Sequence, residues 1–428
     1  MPVRHLNGLY QKSTLPNGLR VITVPMSHVR SATVAIFVGT GSRYEKKEEA
    51  GISHFIEHMH FKGTKNRPVP QQISETIERV GGYLNAGTDS ELTSYWAKVP
   101  KPAFEMTVDL LSDMLLNSLL RAKDIEGERK VILEEINSIN DSPQQRVDML
   151  IDDLLWPDQP LGRDAGGTKE AVSKLTRRQM LHYRGTQYAP NNAVVAVAGA
   201  FEHEEIVLTM QRRFEAWKRT KPRAWFPAVN GKKSPRVGVR KQKTEQAHLC
   251  ISYHGLSATH PDRYALDVLN NILGDGMSSR LFIDLRENRS LCYEVFSYVS
   301  HFMDTGAVTV YAGVDAKSID EAVTGILAQV DGVIAGVTND EMKKAKEMTK
   351  GRLLLQTEDT RSMAAWHGVQ ETLRGEIKTM DDTVENIDKV TADDVQRVAK
   401  KLLTRERALL GVVGPYKSEA RFQRLLEG

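Results

Sequence analysis

The sequence predicts an α+β protein made of two copies of one module, each a mostly antiparallel sheet with helices packed on one face. Three observations carry this expectation. VSKLTRRQMLHYRGTQYAPNNAVVAVAG, ending at Gly199, aligns without a gap on IDKVTADDVQRVAKKLLTRERALLGVVG, ending at Gly414. Both read as a helix opening at a threonine cap, Thr176 or Thr391, then a buried strand and a glycine, 215 residues apart. At the same offset SATVAIFVGTGSR, from Ser31, meets QAHLCISYHGLSA, from Gln246, each a strand leading toward a helix. Between these anchors, runs of strands and helices segregate as they do in α+β layers.

The domain division follows. A chain of 428 residues exceeds one typical core, so a first half over 1–217 and a second over 236–428 are expected. The stretch 218–235, rich in Lys, Arg and Pro, reads as a solvated linker rather than a nucleic-acid contact.

Taken in order, the N-terminal stretch MPVRHLNGLYQKSTLPNGLRVITVPM has neither an apolar h-region nor an Arg/Ser-rich targeting helix, and no long apolar span follows. A cytoplasmic protein is the expectation. Next, GISHFIEHMHFKGT reads as a helix carrying His54, Glu57 and His58. The i,i+4 imidazoles turn toward one point, and Glu57 projects to the same side. Two neutral imidazoles at that spacing can grip Zn²⁺ and leave Glu57 free to take a proton from water. His60 turns about 200° away from His58 and reads as a packed or surface residue.

The third ligand comes from DIEGERKVILEEINSIND, which reads as a helix capped by Asp124, with Val131, Ile132 and Ile139 as its apolar stripe. Glu128 and Glu135 lie seven apart, almost on one line through that stripe, whereas Glu134 points roughly 120° away. A carboxylate on a buried face is costly unless paired or bound to metal, so Glu135 is the candidate ligand and Glu128 the acid behind it. The other reading is that both acids meet a basic partner.

Composition excludes some classes of function. Lys+Arg number 58 against 55 Asp+Glu, a net charge of +3, too balanced to imply a nucleic-acid or membrane partner. The content of 40% hydrophobic and 26% charged residues is that of ordinary globular material. Cys250 and Cys292 have no ligand spacing and read as small buried residues in a reducing compartment.

The order H-x-x-E-H inverts the common zinc-peptidase H-E-x-x-H and is the inverzincin pattern. HFIEHMHFKGT, followed some distance on by ERKVILEEI, resembles the pitrilysin or insulinase family of zinc metallopeptidases, in its short-chain branch with the mitochondrial processing peptidases and bacterial homologues. The resemblance implies one Zn²⁺ per chain on His54, His58 and Glu135, Glu57 as general base and Glu128 in support. His60 departs from the apolar residue expected there.

The segment after Gly81 and Gly82, YLNAGTDSELTSYWAKV, alternates like a strand and resembles the family's edge strand. That likeness implies that Asn85 and Ala86 hydrogen-bond an extended peptide; a helix C-cap and a plain hairpin explain the residues equally well. In the second half, Arg286 and Tyr293 resemble an element that contacts the substrate carbonyl. Read alone, Arg286 would pair with an acid and Tyr293 would pack in a core.

The expectation is therefore a zinc endopeptidase that takes peptides or unfolded segments in extended form inside a dimeric chamber. Because one chain carries both elements, the resemblance implies a homodimer first and a heterodimer with an inactive homologue second. The alternatives are a non-catalytic or partner subunit of the same fold, and a metal-dependent hydrolase of another substrate.

Overall fold

The computed structural model describes residues 10–231 and 235–427. One sheet holds β1 (Gln11–Thr14), β2 (Arg20–Pro25), β3 (Ser31–Val38), β4 (Tyr83–Thr88), β5 (Thr93–Pro100) and β6 (Ala193–Gly199). Its order is β1-β2-β6-β3-β5-β4, and only the β2–β6 pair is parallel. The other sheet holds β7 (Val237–Lys241), β8 (Gln246–His254), β9 (Cys292–His301), β10 (Gly306–Asp315) and β11 (Leu409–Gly414). Its order is β7-β11-β8-β10-β9, again with one parallel pair, β7–β11. Apart from β1, the two orders correspond strand for strand, so the duplication read from sequence is a duplication of topology.

Two compact units follow the sheets, but neither is a continuous half. The first takes 1–136, 164–226 and 353–381; the second takes 137–163, 227–352 and 382–428. The simple cut expected between 217 and 236 differs because two helices cross over in sequence. Thr360–Arg374 lies on the first sheet, where Met363 and Ala364 pack with Ile22, Phe37, Val194 and Ala196. Gly368 sits against the Phe37 ring, where any Cβ would clash. Pro143–Leu155 lies on the second sheet, with Val147, Ile151 and Leu154 against Cys250, Tyr311 and Val413.

The main helical layer of the first unit covers the opposite face of its sheet, joining Val34, Ile36 and Val195 to Phe55, Ile56, Leu111 and Ile132. This explains β6, a run of small apolar residues buried along its whole length: it is covered on both faces. Both threonine caps are present. Thr176 and Thr391 each accept from the backbone three residues on, in capping boxes closed by Gln179 and Asp394.

The basic stretch is not a solvated hinge in its first part. Within it Arg223 pairs with Glu49 at 2.6 Å and the Arg43 guanidinium lies 4.4 Å from the Trp225 ring centre, while just before it Trp217 Nε1 donates to the Tyr188 carbonyl at 3.0 Å. Tryptophan and arginine gain more from these partners than from water. Residues 232–234 of that stretch, and 1–9 of the N-terminal reading, lie outside the described residues. No single helix among the described residues is long and apolar enough to cross a membrane. Cys250 and Cys292 are buried free thiols.

Candidate metal centre

The site is built on the helix Ile52–His60, whose start is fixed from outside. Gly51 adopts φ 91°, and a Cβ there would meet the Gly166 carbonyl at 2.5 Å, so only glycine allows this approach. The buried carboxylate of Glu45 accepts from the backbone N–H groups of Gly51 at 2.7 Å and Ser53 at 2.8 Å. A distant acid thus supplies the N-terminal cap that the local sequence lacks.

One turn on, His54 and His58 bring their Nε2 atoms to 3.0 Å from each other. Glu135 Oε2 stands 3.7 Å from His58 Nε2 and 4.0 Å from His54 Nε2. Among the described residues these three form the one His/Cys/Asp/Glu group whose ligand atoms converge closely enough to hold a metal ion.

The surroundings fit a cation. His58 Nδ1 lies 2.9 Å from Glu128 Oε1, and Glu128 is tied on its other oxygen to Lys62 Nζ at 2.6 Å. A proton on Nδ1 shared with that carboxylate leaves the Nε2 lone pair facing His54, which is the tautomer a metal needs. His54 is largely but not fully buried, and that burial, reinforced by His58, lowers its pKa to about 4, so it is neutral near pH 7. For His58 burial acts downward, but the Glu128 hydrogen bond and the charges of Glu135 and Glu57 outweigh it and raise the pKa. Two nitrogens and one carboxylate with a side left open is a donor set suited to Zn²⁺.

Glu57 lies on the same helix and is 9% exposed. Burial raises its pKa, opposed by a hydrogen bond from the Thr88 hydroxyl at 2.6 Å. Thr88 is the last residue of β4, so one hydroxyl links the acid to the edge of the sheet.

Several expectations meet the structure here. Glu128 is buried, as the helical arithmetic requires, and Glu135 is partly exposed. The helix carrying them begins at Ala122, so Asp124 is not its cap, and Val131 is 45% exposed; the buried stripe is Ile125, Glu128, Ile132 and Ile136. His60 is fully buried between the rings of Tyr95 and Tyr188, at 5.1 and 5.4 Å, and takes no part in the cluster. β4 is an edge strand, with Asn85 exposed and its Oδ1 accepting from the Ala86 N–H at 2.8 Å.

Arg286 and Tyr293 belong to the second unit. Arg286 lies in the π-helical turn Phe282–Asn288, its guanidinium 4.6 Å from the Phe282 ring centre and 4.8 Å from that of Tyr293. Tyr293 is 77% exposed, at a bulge where Cys292 and Glu294 face Val314 and Gly313. A bulge re-aims a side chain away from the pleat. Tyr293 therefore packs in no core, and the acid nearest Arg286 is Glu287, at 3.7 Å.

Comparison with known proteins places the chain. An uncharacterized zinc protease of Streptomyces coelicolor is 38% identical over 422 residues, covering 97% of this chain and 92% of its own. The chain belongs to the insulinase family of peptidases, family M16. The insulinase (peptidase family M16) model matches residues 20–169 of this M16 chain, and the peptidase M16 inactive-domain model matches 174–349. YmxG of Bacillus subtilis, also described as an uncharacterized zinc protease, is 35% identical over 408 residues, 94% of this chain and 97% of its own. The fold is shared with a protease from Helicobacter pylori (TM-score 0.87, 23% identity, covering 95% of this chain and 99% of the other). It is shared too with a chain of complex III from Candida albicans (TM-score 0.84, 20% identity, covering 97% and 99%).

Local pattern revealed His54, Glu57, His58, Glu128 and Glu135 and missed Glu45, Lys62 and Thr88. Lys62 is four residues after His58, and its spacing alone was a usable signal. Glu45 and Thr88 had none, because their roles depend on a loop and a strand folding back.

Proposed function

We propose that this M16 chain is a zinc-dependent endopeptidase, with one Zn²⁺ per chain on His54, His58 and Glu135, that cleaves peptides or unfolded segments held in extended form. The observation that carries this is the pairing of a three-donor cluster with a buried carboxylate, Glu57, one residue from a ligand. Zn²⁺, when bound, supplies a Lewis acid that polarises the scissile carbonyl and acidifies water.

The chain's own groups do the rest. Glu57 accepts the proton of the attacking water and returns it to the leaving amine, and its raised pKa suits both directions. Glu128 holds the His58 ring through Nδ1. β4, unpaired on its outer side among the described residues, offers backbone groups to an extended substrate at Asn85 and Ala86. We assign Arg286 and Tyr293 to donating hydrogen bonds to the substrate's carbonyl oxygen as it becomes an oxyanion. A homodimer and a cytoplasmic location complete the reading, tested by solution mass and by fractionation.

The test pairs metal content with cleavage. The parent and Glu57→Gln are assayed for bound zinc and on a quenched-fluorescent peptide library. Zinc in both with cleavage by the parent alone supports the assignment. Zinc in both with cleavage by neither supports the second reading, a partner subunit, which the likeness to a complex III chain keeps in view. No zinc in either overturns the site.

A further inference from the structure

The duplication provides an internal control for a cavity that the peptidase reading does not use. In each copy a corner forms where the threonine-capped helix ends and the next strand begins. In the first copy the chain itself fills it. Asn191 Nδ2 donates to the Thr220 carbonyl and Asn191 Oδ1 accepts from the Thr220 N–H, both at 3.1 Å. The Thr220 hydroxyl donates to the Thr186 carbonyl at 2.6 Å, and the Arg223 N–H to Gln187 Oε1 at 2.6 Å. Asn192 closes the inner side by donating to the Gly39 and Gln187 carbonyls, each at 2.9 Å.

At the 215-residue offset the second copy reads Lys401 for Thr186, Leu402 for Gln187, Glu406 for Asn191, Arg407 for Asn192 and His254 for Gly39. The amides that held the chain in place are gone. The described residues enclose a cavity of about 690 Å³ there, lined by residues of the second unit alone. That volume is in the range of small-molecule sites.

Its chemistry is divided. Leu154, Leu256, Leu402 and Leu409 give an apolar floor. Arg236, His254, His260, Lys401 and Arg407 line it with basic groups against a single acid, Glu406. The two guanidinium groups are held by backbone: Arg236 donates to the carbonyls of Arg405 and Ala408, and Arg407 to that of Lys401 at 2.7 Å. Among the described residues no carboxylate forms an ion pair within 4 Å of Arg236, Lys401 or Arg407; Glu406 acts on Arg236 and Asp262 on Lys401 only at longer range. His254 Nδ1 is buried and has no hydrogen-bond partner. Cations without a direct ion pair beside a leucine floor suit an anion that carries hydrocarbon.

We propose that this corner binds a small amphipathic anion, a carboxylate or phosphate monoester on an apolar body, its head at Lys401 and Arg407 and its body on the leucines. The site is independent of the metal centre and stands or falls apart from the peptidase reading.

The test is calorimetric titration of the intact zinc-loaded protein with 4-phenylbutyrate and with phenyl phosphate. 4-Phenylbutan-1-ol serves as the neutral body and inorganic phosphate as the bare head. One saturable site per chain is expected for at least one of the two organic anions, and which of them is tighter tells carboxylate from phosphate. The alcohol and inorganic phosphate should each bind at least about tenfold more weakly than the tighter anion, the loss expected when one charged hydrogen bond or a comparable apolar contact is removed. Lys401→Gln with Arg407→Gln, both exposed positions, should weaken the anion by at least about tenfold at unchanged melting temperature. Saturation by neither anion, equal binding of the alcohol or of inorganic phosphate, or unchanged affinity in the double variant overturns the proposal. So does binding that disappears on chelating zinc, which would place the anion at the metal centre.

Discussion

The helix Ile52–His60 of the first copy and Arg263–Leu273 of the second follow equivalent strands, β3 and β8, yet they are filled by opposite chemistry. At the 215-residue offset His54, Glu57 and His58 correspond to Leu269, Ile272 and Leu273, each at most 1% exposed. The second helix buries hydrocarbon where the first buries imidazole and carboxylate. Burying a methylene is worth about 0.8 kcal/mol, whereas a buried polar group costs unless it is paired. The scaffold thus tolerates either filling, and the first copy accepts a local penalty that a cation at the proposed site would relieve.

The sharpest way to break this comparison is to remove the metal that the peptidase proposal places on the first copy. Chelation should abolish peptide cleavage and speed amide exchange across Ile52–His60, while Arg263–Leu273 exchanges as before; hydrogen-exchange mass spectrometry reads both helices in one experiment. Equal loosening of the two would mean that the penalty is not local. Glu57→Gln belongs at the same end of the scale, with cleavage down about 10²-fold or more and zinc retained.

Next in size, Leu269→Ala should cost about 2–5 kcal/mol in urea unfolding, through lost burial and the cavity left behind, with zinc content unchanged. If zinc were lost as well, the two copies would not be separable in this way. The shared features should respond alike: Thr176→Ala and Thr391→Ala are each expected to cost about 1 kcal/mol, since each removes the same capping box. Unequal costs would show that one cap has become redundant.

The smallest effect is confined to the second unit. The Glu341 pKa is lowered to about 2, first by the Arg280 hydrogen bond, at 2.6 Å, and then by bonds from Thr338. A lowered carboxyl pKa stabilises the fold above its unfolded value, and that contribution fades as pH falls toward 2. The stability difference between parent and Glu341→Gln should therefore be level above about pH 5 and shrink from about pH 4.5 downward. Urea midpoints across that range check it.

How far the sequence could be read depended on distance along the chain. The proposed ligands and the proposed base sit on two helices, and helical arithmetic brought His54, His58 and Glu135 into one cluster because the relevant spacings are four and seven residues. The same arithmetic put Glu128 in the buried stripe and turned His60 out of the cluster. It misjudged Val131, because a helix packed on one side leaves part of its apolar face in water, and it put the cap at Asp124, where helix starts are hard to fix. Glu45, from a loop nine residues before His54, and Thr88, from the end of a hairpin, reach the site only through tertiary folding. The exchanged helices were hidden for the same reason. Nothing in the pattern of Thr360–Arg374 says which sheet it covers.

That exchange bears on the order in which the protein can be completed. The face of the first sheet that carries Ile22, Phe37 and Val194 has its cover in Met363 and Ala364, made well over a hundred residues after β6. At synthesis rates of about 5–20 residues per second, that face waits on the order of ten to thirty seconds for its lid. During that interval the emerging chain displays a bare apolar sheet, a natural landing place for a chaperone. For the same reason a ribosome that stalls between the two halves would release an aggregation-prone fragment rather than a finished first module.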